Sequence, residues 1–434
     1  MRLTRIEALC TLLLIVGVVL LGGASRAAQP IAPPHEPGPF TVGVTTFSAT
    51  MSAGRVARIQ VYYPTLDHPN CQASYTVLTA AGTYPLRSPL CAVHDGQSAK
   101  GLFPLIVHDH GGAAAGADFQ RLSQLPVHET LASHGFVVAV GLHSANALDR
   151  VLDLPLVIDA LLARNATAGD LLAGTIDPER IGISGESTGG GTALRVAGGW
   201  SENAITADPR IKAMVVYEPN VFNLIDVSTI SVPYLVMEGT QFAAGLAIPD
   251  LFDATVLATP RIHVTNPQAV HISYQTGICS RIDEAREAAW VADPMQAEPL
   301  TNLITLPTGR RVCSPALGAA ASAACAAWNM GEITSPTVVG FGGGRNFCTE
   351  VGVTSSVSLD VNPTDGLTDS PPFTATDAFT LDEPIPGNIM VPTITHYTVA
   401  FWKVFLERDG RYMRYLTPGY ARAHELPAEV RIQD

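Results

Sequence analysis

The apolar residues of this chain fall into short, nearly continuous runs separated by stretches long enough for a helix. Pro104–His108, Phe136–Val140, Arg180–Ser184, Ile211–Tyr217, Pro233–Met237 and Arg261–Thr265 are such runs. A strand covered on both faces has no polar side to show, so its sequence loses the alternation of a half-exposed strand. Leu152–Ala163 and the stretch from Ser187 to about Gly198 carry helical spacing. Strands alternating with helices predict an α/β fold with a mostly parallel central sheet and helices on both faces. Upstream, Phe40–Phe47 and Arg55–Tyr63 predict two further strands joined at Ser52-Ala53-Gly54, followed by a loop carrying Cys71 and Cys91. An amphipathic helix is expected over Ile394–Arg408, apolar at Val399, Phe401, Trp402, Phe405 and Leu406. From about 279 to 390 the rhythm breaks into Gly, Ala, Ser, Thr and Pro. That stretch is read as an irregular insertion in a domain spanning 40–434, with a Pro-rich leader at 28–39.

The first residues follow a different pattern. Arg2 and Arg5 precede the apolar run Leu9–Leu21, and Ala24-Ser25-Arg26-Ala27 supplies small residues at its end. A basic start, a short apolar core and a small-residue exit predict a signal peptide over 1–27, and hence a secreted protein. The run is short of the roughly 20 residues a membrane span needs, and no later stretch is expected to cross a membrane. Of seven cysteines, six lie beyond that segment: Cys71, Cys91, Cys279, Cys313, Cys325 and Cys348. An even number in an exported chain predicts up to three disulfides, with Cys71–Cys91 favoured by proximity and the other four bracing the insertion. Charge narrows the partners. With 26 Lys and Arg against 39 Asp and Glu, the net charge of −13 repels a phosphate backbone, so nucleic acid is not an expected partner.

The chemistry concentrates at Arg180-Ile-Gly-Ile-Ser-Gly-Glu-Ser-Thr-Gly-Gly-Gly-Thr-Ala-Leu194. Gly185-x-Ser187-x-Gly189 lies between a β-type run and a helix-forming run, which is the context of a nucleophile elbow. A tight strand-to-helix turn crowds its neighbours, and glycine two residues either side of the serine relieves that crowding. The helix start behind Ser187 offers positive potential to a developing oxyanion. Earlier, His108-Asp109-His110-Gly111-Gly112 ends the strand Pro104–Val107. Such a turn can aim a backbone N–H at a carbonyl oxygen, so Gly112 and Thr188 are the expected oxyanion donors. His108 and His110 have the spacing of a metal pair, but no third and fourth ligand is evident. This chemistry requires neither metal nor cofactor.

A nucleophilic serine needs a base and an acid to orient it, in the chain order Ser, acid, His. After Ser187 the histidines are His263, His271, His396 and His424. His263 lies in a strand run and His396 in the last helix, whereas His271 follows the last strand in a loop, where the base is expected. Glu218 and Glu238 both end strands on the side where ligands collect in open α/β sheets, and either satisfies the requirement for the acid, the other being a solvated strand-end charge. Asp226 and Asp250 are looser options in loops.

These residues resemble the α/β-hydrolase superfamily, and more narrowly the secreted esterases related to platelet-activating-factor acetylhydrolase and dienelactone hydrolase. The resemblance rests on Gly38–Gly43, Val61-Tyr-Tyr-Pro64, Phe103–Gly112, Leu131–Val138 and Ile176–Ser187, and covers about 40–275 plus the last helix. It implies an α/β-hydrolase fold and favours Glu218 over Glu238 as the acid, with His271 as the base. Two positions depart from the group: Glu stands where Asp is usual for the acid, and Glu186 precedes the serine where His is commoner. The implied activity is that of a serine ester hydrolase acting on a small-molecule, lipid or polyester ester. A peptidase on the same fold and a catalytically inactive binding protein are the alternatives.

Overall fold

The computed structural model describes residues 31–69, 74–79, 82–111, 121–141, 144, 146–219, 227–239, 252–255, 257–267, 269, 274 and 387–433, with strand segments between 303 and 378. The chain divides into two units, Met1–Ala32 and Pro33–Asp434. The expected signal segment lies outside the described residues, and the architecture that follows belongs to the second unit.

In chain order the sheet strands are β1 (Thr41–Thr50), β2 (Val56–Thr65), β5 (Val93–His94), β6 (Phe103–Asp109), β7 (Val137–Gly141), β8 (Ile176–Glu186), β9 (Ile211–Tyr217), β10 (Tyr234–Gly239), β11 (Arg261–Asn266) and β17 (Glu429–Gln433). They form one sheet in the order β17-β11-β10-β9-β8-β6-β7-β2-β1-β5. The six strands from β7 to β11 are mutually parallel, while β2 and β17 run antiparallel to their neighbours β7 and β11. The helices between them are α1 (Leu125–Ser133), α2 (Ala147–Ala166), α3 (Thr188–Gly198) and, near the end, α4 (Gly387–Phe405). α2 packs beside α3, and α1 beside α4. One pair covers each face of the mostly parallel sheet, which makes this an α/β fold.

This arrangement follows from the runs. Leu105, Val107, Ile181, Ile183, Met214, Val216 and Val236 face α2 and α3 in one continuous core. The intervening positions face the other pair: Gly182 lies under Trp402 of α4, and Tyr217 meets Thr398 of the same helix at 3.0 Å between hydroxyls. α2 begins at Ala147, earlier than its apolar spacing suggests, because Asn146 caps it. The Asn146 side chain accepts from the backbone N–H groups of Leu148 and Asp149. Among the described residues no helix is long and apolar enough to cross a membrane.

Several expectations need correction. The segment after β2 holds a hairpin, β3 (Ser74–Thr79) with β4 (Gly82–Arg87), where only a loop was expected. α1 was not foreseen, and neither was the edge strand β17. α4 starts before Ile394 and is not amphipathic. Every residue from Thr393 to Lys403 is buried, because the 3₁₀ segment Gly410–Leu416 covers the face that the sheet and α1 leave open. Within the expected insertion, β12 (Leu303–Thr305) pairs with β13 (Arg311–Cys313), and β15 (Thr354–Asp360) lies between β14 (Thr337–Val338) and β16 (Phe373–Ala378). Cys91 is disulfide-bonded; Cys71, Cys279, Cys325 and Cys348 lie outside the described residues.

Candidate active site

Three neighbouring parallel strands, β6, β8 and β9, end together, and their exits carry the residues singled out by the sequence. β8 stops at Glu186, α3 starts at Thr188, and Ser187 is the single residue between them. Its backbone sits at φ 53° and ψ −118°, a conformation an L-residue adopts only when its surroundings impose it. The N–H of Ser187 donates to the carbonyl of Tyr217 at 2.9 Å, which ties the turn to β9. The glycine at 189 has a visible reason: a Cβ there would lie 2.0 Å from the carbonyl oxygen of Asp109 at the end of β6. Thr188 is half-buried as the first residue of α3.

The turn leaving β6 is packed against this elbow. A Cβ on Gly111 would fall 2.0 Å from Oε2 of Glu186 and 2.9 Å from Cβ of Ser187, so only glycine lets the two turns touch. From the other side comes Arg150 of α2. Its Nε donates to Oδ2 of Asp109 at 3.0 Å and its Nη2 to Oδ1 at 2.9 Å, and Nη2 also donates to the carbonyl of His110. Both side chains of this pair are almost fully buried. Gly112, the expected oxyanion donor on this turn, lies outside the described residues.

His108 and His110 point away from each other's chemistry. His108 Nδ1 is 2.9 Å from the hydroxyl of Ser184, and its ring lies 4.7 Å from that of His128 in α1. His110 Nδ1 is 2.8 Å from the carbonyl of Gly111. Burial holds the His128 imidazole well below its ordinary range, and the neighbouring His108 adds to that. Among the described residues no group of three or more His, Cys, Asp or Glu could hold a metal ion.

Glu218 and Glu238 prove to have different surroundings. Glu218 follows β9 with φ 41°, again the left-handed region for a residue that carries a side chain. Its N–H donates to the carbonyl of Met237 at 2.8 Å, and its Oε1 accepts the N–H of Gly239. Glu238 was expected as a solvated strand-end charge if it were not the acid. It is instead buried, with Oε1 2.6 Å from Nε2 of His263. His263 therefore has a partner of its own inside β11. His271 lies outside the described residues, but both of its described neighbours approach this corner. A Cβ on Gly239 would be 2.1 Å from the carbonyl oxygen of Ala269. Burial raises the Tyr274 phenol well above its ordinary range, and the carboxylates of Glu218 and then Glu238 push it further.

Sequence reasoning missed Arg150, which lies 41 residues from its partner Asp109, and it missed His128. Neither has a spacing signal, because both meet the β6 exit only through the packing of their helices. The contact of Glu186 with Gly111 was equally invisible, although the unusual residue type before the serine marked the position.

No protein-family profile matches the chain, and no curated protein matches it. Among solved structures it is similar to the ferulic acid esterase from Streptomyces cinnamoneus, with 19% identity and a TM-score of 0.39 over 58% of this chain and 77% of that one.

Proposed function

We propose that this protein is a secreted serine ester hydrolase in which Ser187, His271 and Glu218 form the triad. The observation that carries the reading is the strained Ser187, held between a β-strand and a helix N-terminus with the His-Gly-Gly turn packed against it. Positive φ at a non-glycine residue occurs elsewhere in the fold, and here it coincides with the strand-to-helix turn and the packed glycines. Glu218 also has positive φ one strand away, while Glu238 is engaged by His263. The narrower resemblance to acetylhydrolase-like esterases supports an ester over an amide.

The steps follow from these roles. His271 takes the proton from the Ser187 hydroxyl as Oγ attacks the ester carbonyl carbon. The amides of Gly112 and Thr188 donate to the oxyanion of the tetrahedral intermediate. The imidazolium, stabilised by Glu218, returns its proton to the departing alkoxide and leaves an acyl-enzyme. His271 then deprotonates water, which attacks the acyl carbon. As the acyl C–Oγ bond breaks, the imidazolium returns that proton to Ser187 Oγ and the carboxylic acid leaves. The test is labelling by a fluorophosphonate probe together with p-nitrophenyl acetate hydrolysis, compared between wild type and Ser187→Ala. Wild type should label and turn over, and the variant should fold but lose on the order of 10⁶ in kcat. A folded wild type that never labels, or a Ser187→Ala protein keeping a tenth of the rate, would overturn the proposal. Inertness toward aminoacyl anilides separates it from a peptidase.

A further inference from the structure

The geometry points to Arg150 as a positioning residue that sets the β6 exit turn against the nucleophile, an inference that rests on the esterase reading above. Three observations converge on it. Arg150 engages both carboxylate oxygens of Asp109 and reaches past them to the carbonyl of His110. It therefore fixes two consecutive residues of the turn rather than one. The pair lies in the interior, with Asp109 and Arg150 at 0% and 1% exposure, where a guanidinium fork holds its partner far more tightly than at a surface. The opposite side of the same turn touches the elbow directly, through Asp109 O against Gly189 and through Gly111 against Ser187.

The turn is thus clamped between a helix and the nucleophile, with the expected oxyanion donor Gly112 as the next residue along the chain. A planar fork specifies both direction and distance, which a lysine ammonium in the same place does not. Loosening the clamp lets the turn shift against the elbow, and Ser187 loses the placement that a tetrahedral intermediate requires. Interactions made only in the transition state are lost first, so kcat falls while ground-state binding of the ester stays the same. A buried ion pair that merely tied α2 to the sheet would lower stability without this split.

The test uses the full chain with Arg150→Lys, and with the charge-neutral pair Asp109→Asn/Arg150→Met as a second variant. Active sites are counted by fluorophosphonate titration, so that kcat for p-nitrophenyl acetate refers to competent molecules only. Arg150→Lys should lower kcat about tenfold, and the neutral pair about 10²-fold or more, with KM within about threefold. Affinity for phenylboronic acid, which becomes tetrahedral on serine, should weaken by a factor parallel to the loss in kcat. Folded variants with wild-type kcat per titrated site, or with KM and kcat changed together, overturn the inference and leave the esterase reading standing. If both variants fail to fold, the pair serves the fold as a whole, and the inference is withdrawn. A folded wild type that neither labels nor hydrolyses the ester removes both.

Discussion

At the scale of single residues, the proposed nucleophile and the proposed acid share one backbone feature. Ser187 and Glu218 both carry side chains at positive φ at the ends of adjacent strands, which costs on the order of 1–3 kcal/mol each and persists only where neighbours impose it. The tight turn around Ser187 was legible in the sequence because the glycines on either side of it are demanded by contact. The choice between Glu218 and Glu238 was not, since two carboxylates at successive strand ends look alike until their partners are known. The structure gives them different hydrogen-bond partners. Glu218 accepts from the backbone of Gly239, whereas Glu238 lies against His263. Glu218→Gln should therefore lower kcat by up to about 10⁴ while leaving the fold intact, as removal of the orienting charge does in a serine triad. Glu238→Gln should instead act on stability, by about 1–3 kcal/mol, because it weakens a buried charged hydrogen bond. Steady-state kinetics and urea unfolding of both variants check this. A collapse of kcat confined to Glu238→Gln would reassign the acid.

At the scale of elements, most parallel strands were legible to within two residues, because strands buried on both faces are uniformly apolar. β8 differs, starting at Ile176, four residues before the run Arg180–Ser184. Ile211–Tyr217 is found with the bounds the run suggests. Helix faces were harder. The pattern over the last helix suggested a solvent side, yet α4 lies between sheet, α1 and the C-terminal 3₁₀ segment, so its residues are buried all round. Its docking is set by one close fit: Gly182, in the strand that leads to Ser187, leaves the space that the Trp402 ring fills, and a Cβ there would lie 2.5 Å from the ring. Trp402 is fully buried. Trp402→Ala should destabilise the protein by about 3–5 kcal/mol, because the vacated volume lies between two rigid elements that cannot close over it. The urea midpoint measures this, and a loss under about 1 kcal/mol would mean that α4 docks by other contacts. The hairpin β3/β4 escaped prediction for a different reason. It pairs only with itself, so its residues never acquire the apolar signature of a sheet interior.

At the scale of the whole molecule, buried histidines make stability depend on pH. Aliphatic side chains dominate the α2/α3 face, while four buried imidazoles, His108, His128, His134 and His396, lie on the α1/α4 side. His128 has no hydrogen-bond partner on either ring nitrogen among the described residues. His134 reaches the carbonyl of Glu36 at 2.8 Å, and His396 that of Tyr415 at 3.1 Å. Burial lowers both to about 4, with Lys403 adding to the effect on His134, and His35 and His424 to that on His396. A histidine held neutral in the folded state takes up a proton more readily when the chain unfolds. Its contribution to stability is therefore complete above the unfolded value near 6.5 and is lost as pH falls from there toward about 4. The loss amounts to about 1.4 kcal/mol per pH unit for each such group. Replacing His134 by Gln keeps a donor for Glu36 and removes the titration. Between pH 7 and about 4.5, urea unfolding of His134→Gln should accordingly show a decline smaller than that of wild type by about 2–3 kcal/mol, and His396→Gln should behave alike. Declines parallel to wild type in both variants would place the acid sensitivity elsewhere in the molecule. With the expected difference, part of the acid sensitivity of the whole fold traces to the imidazoles buried beside α1 and α4.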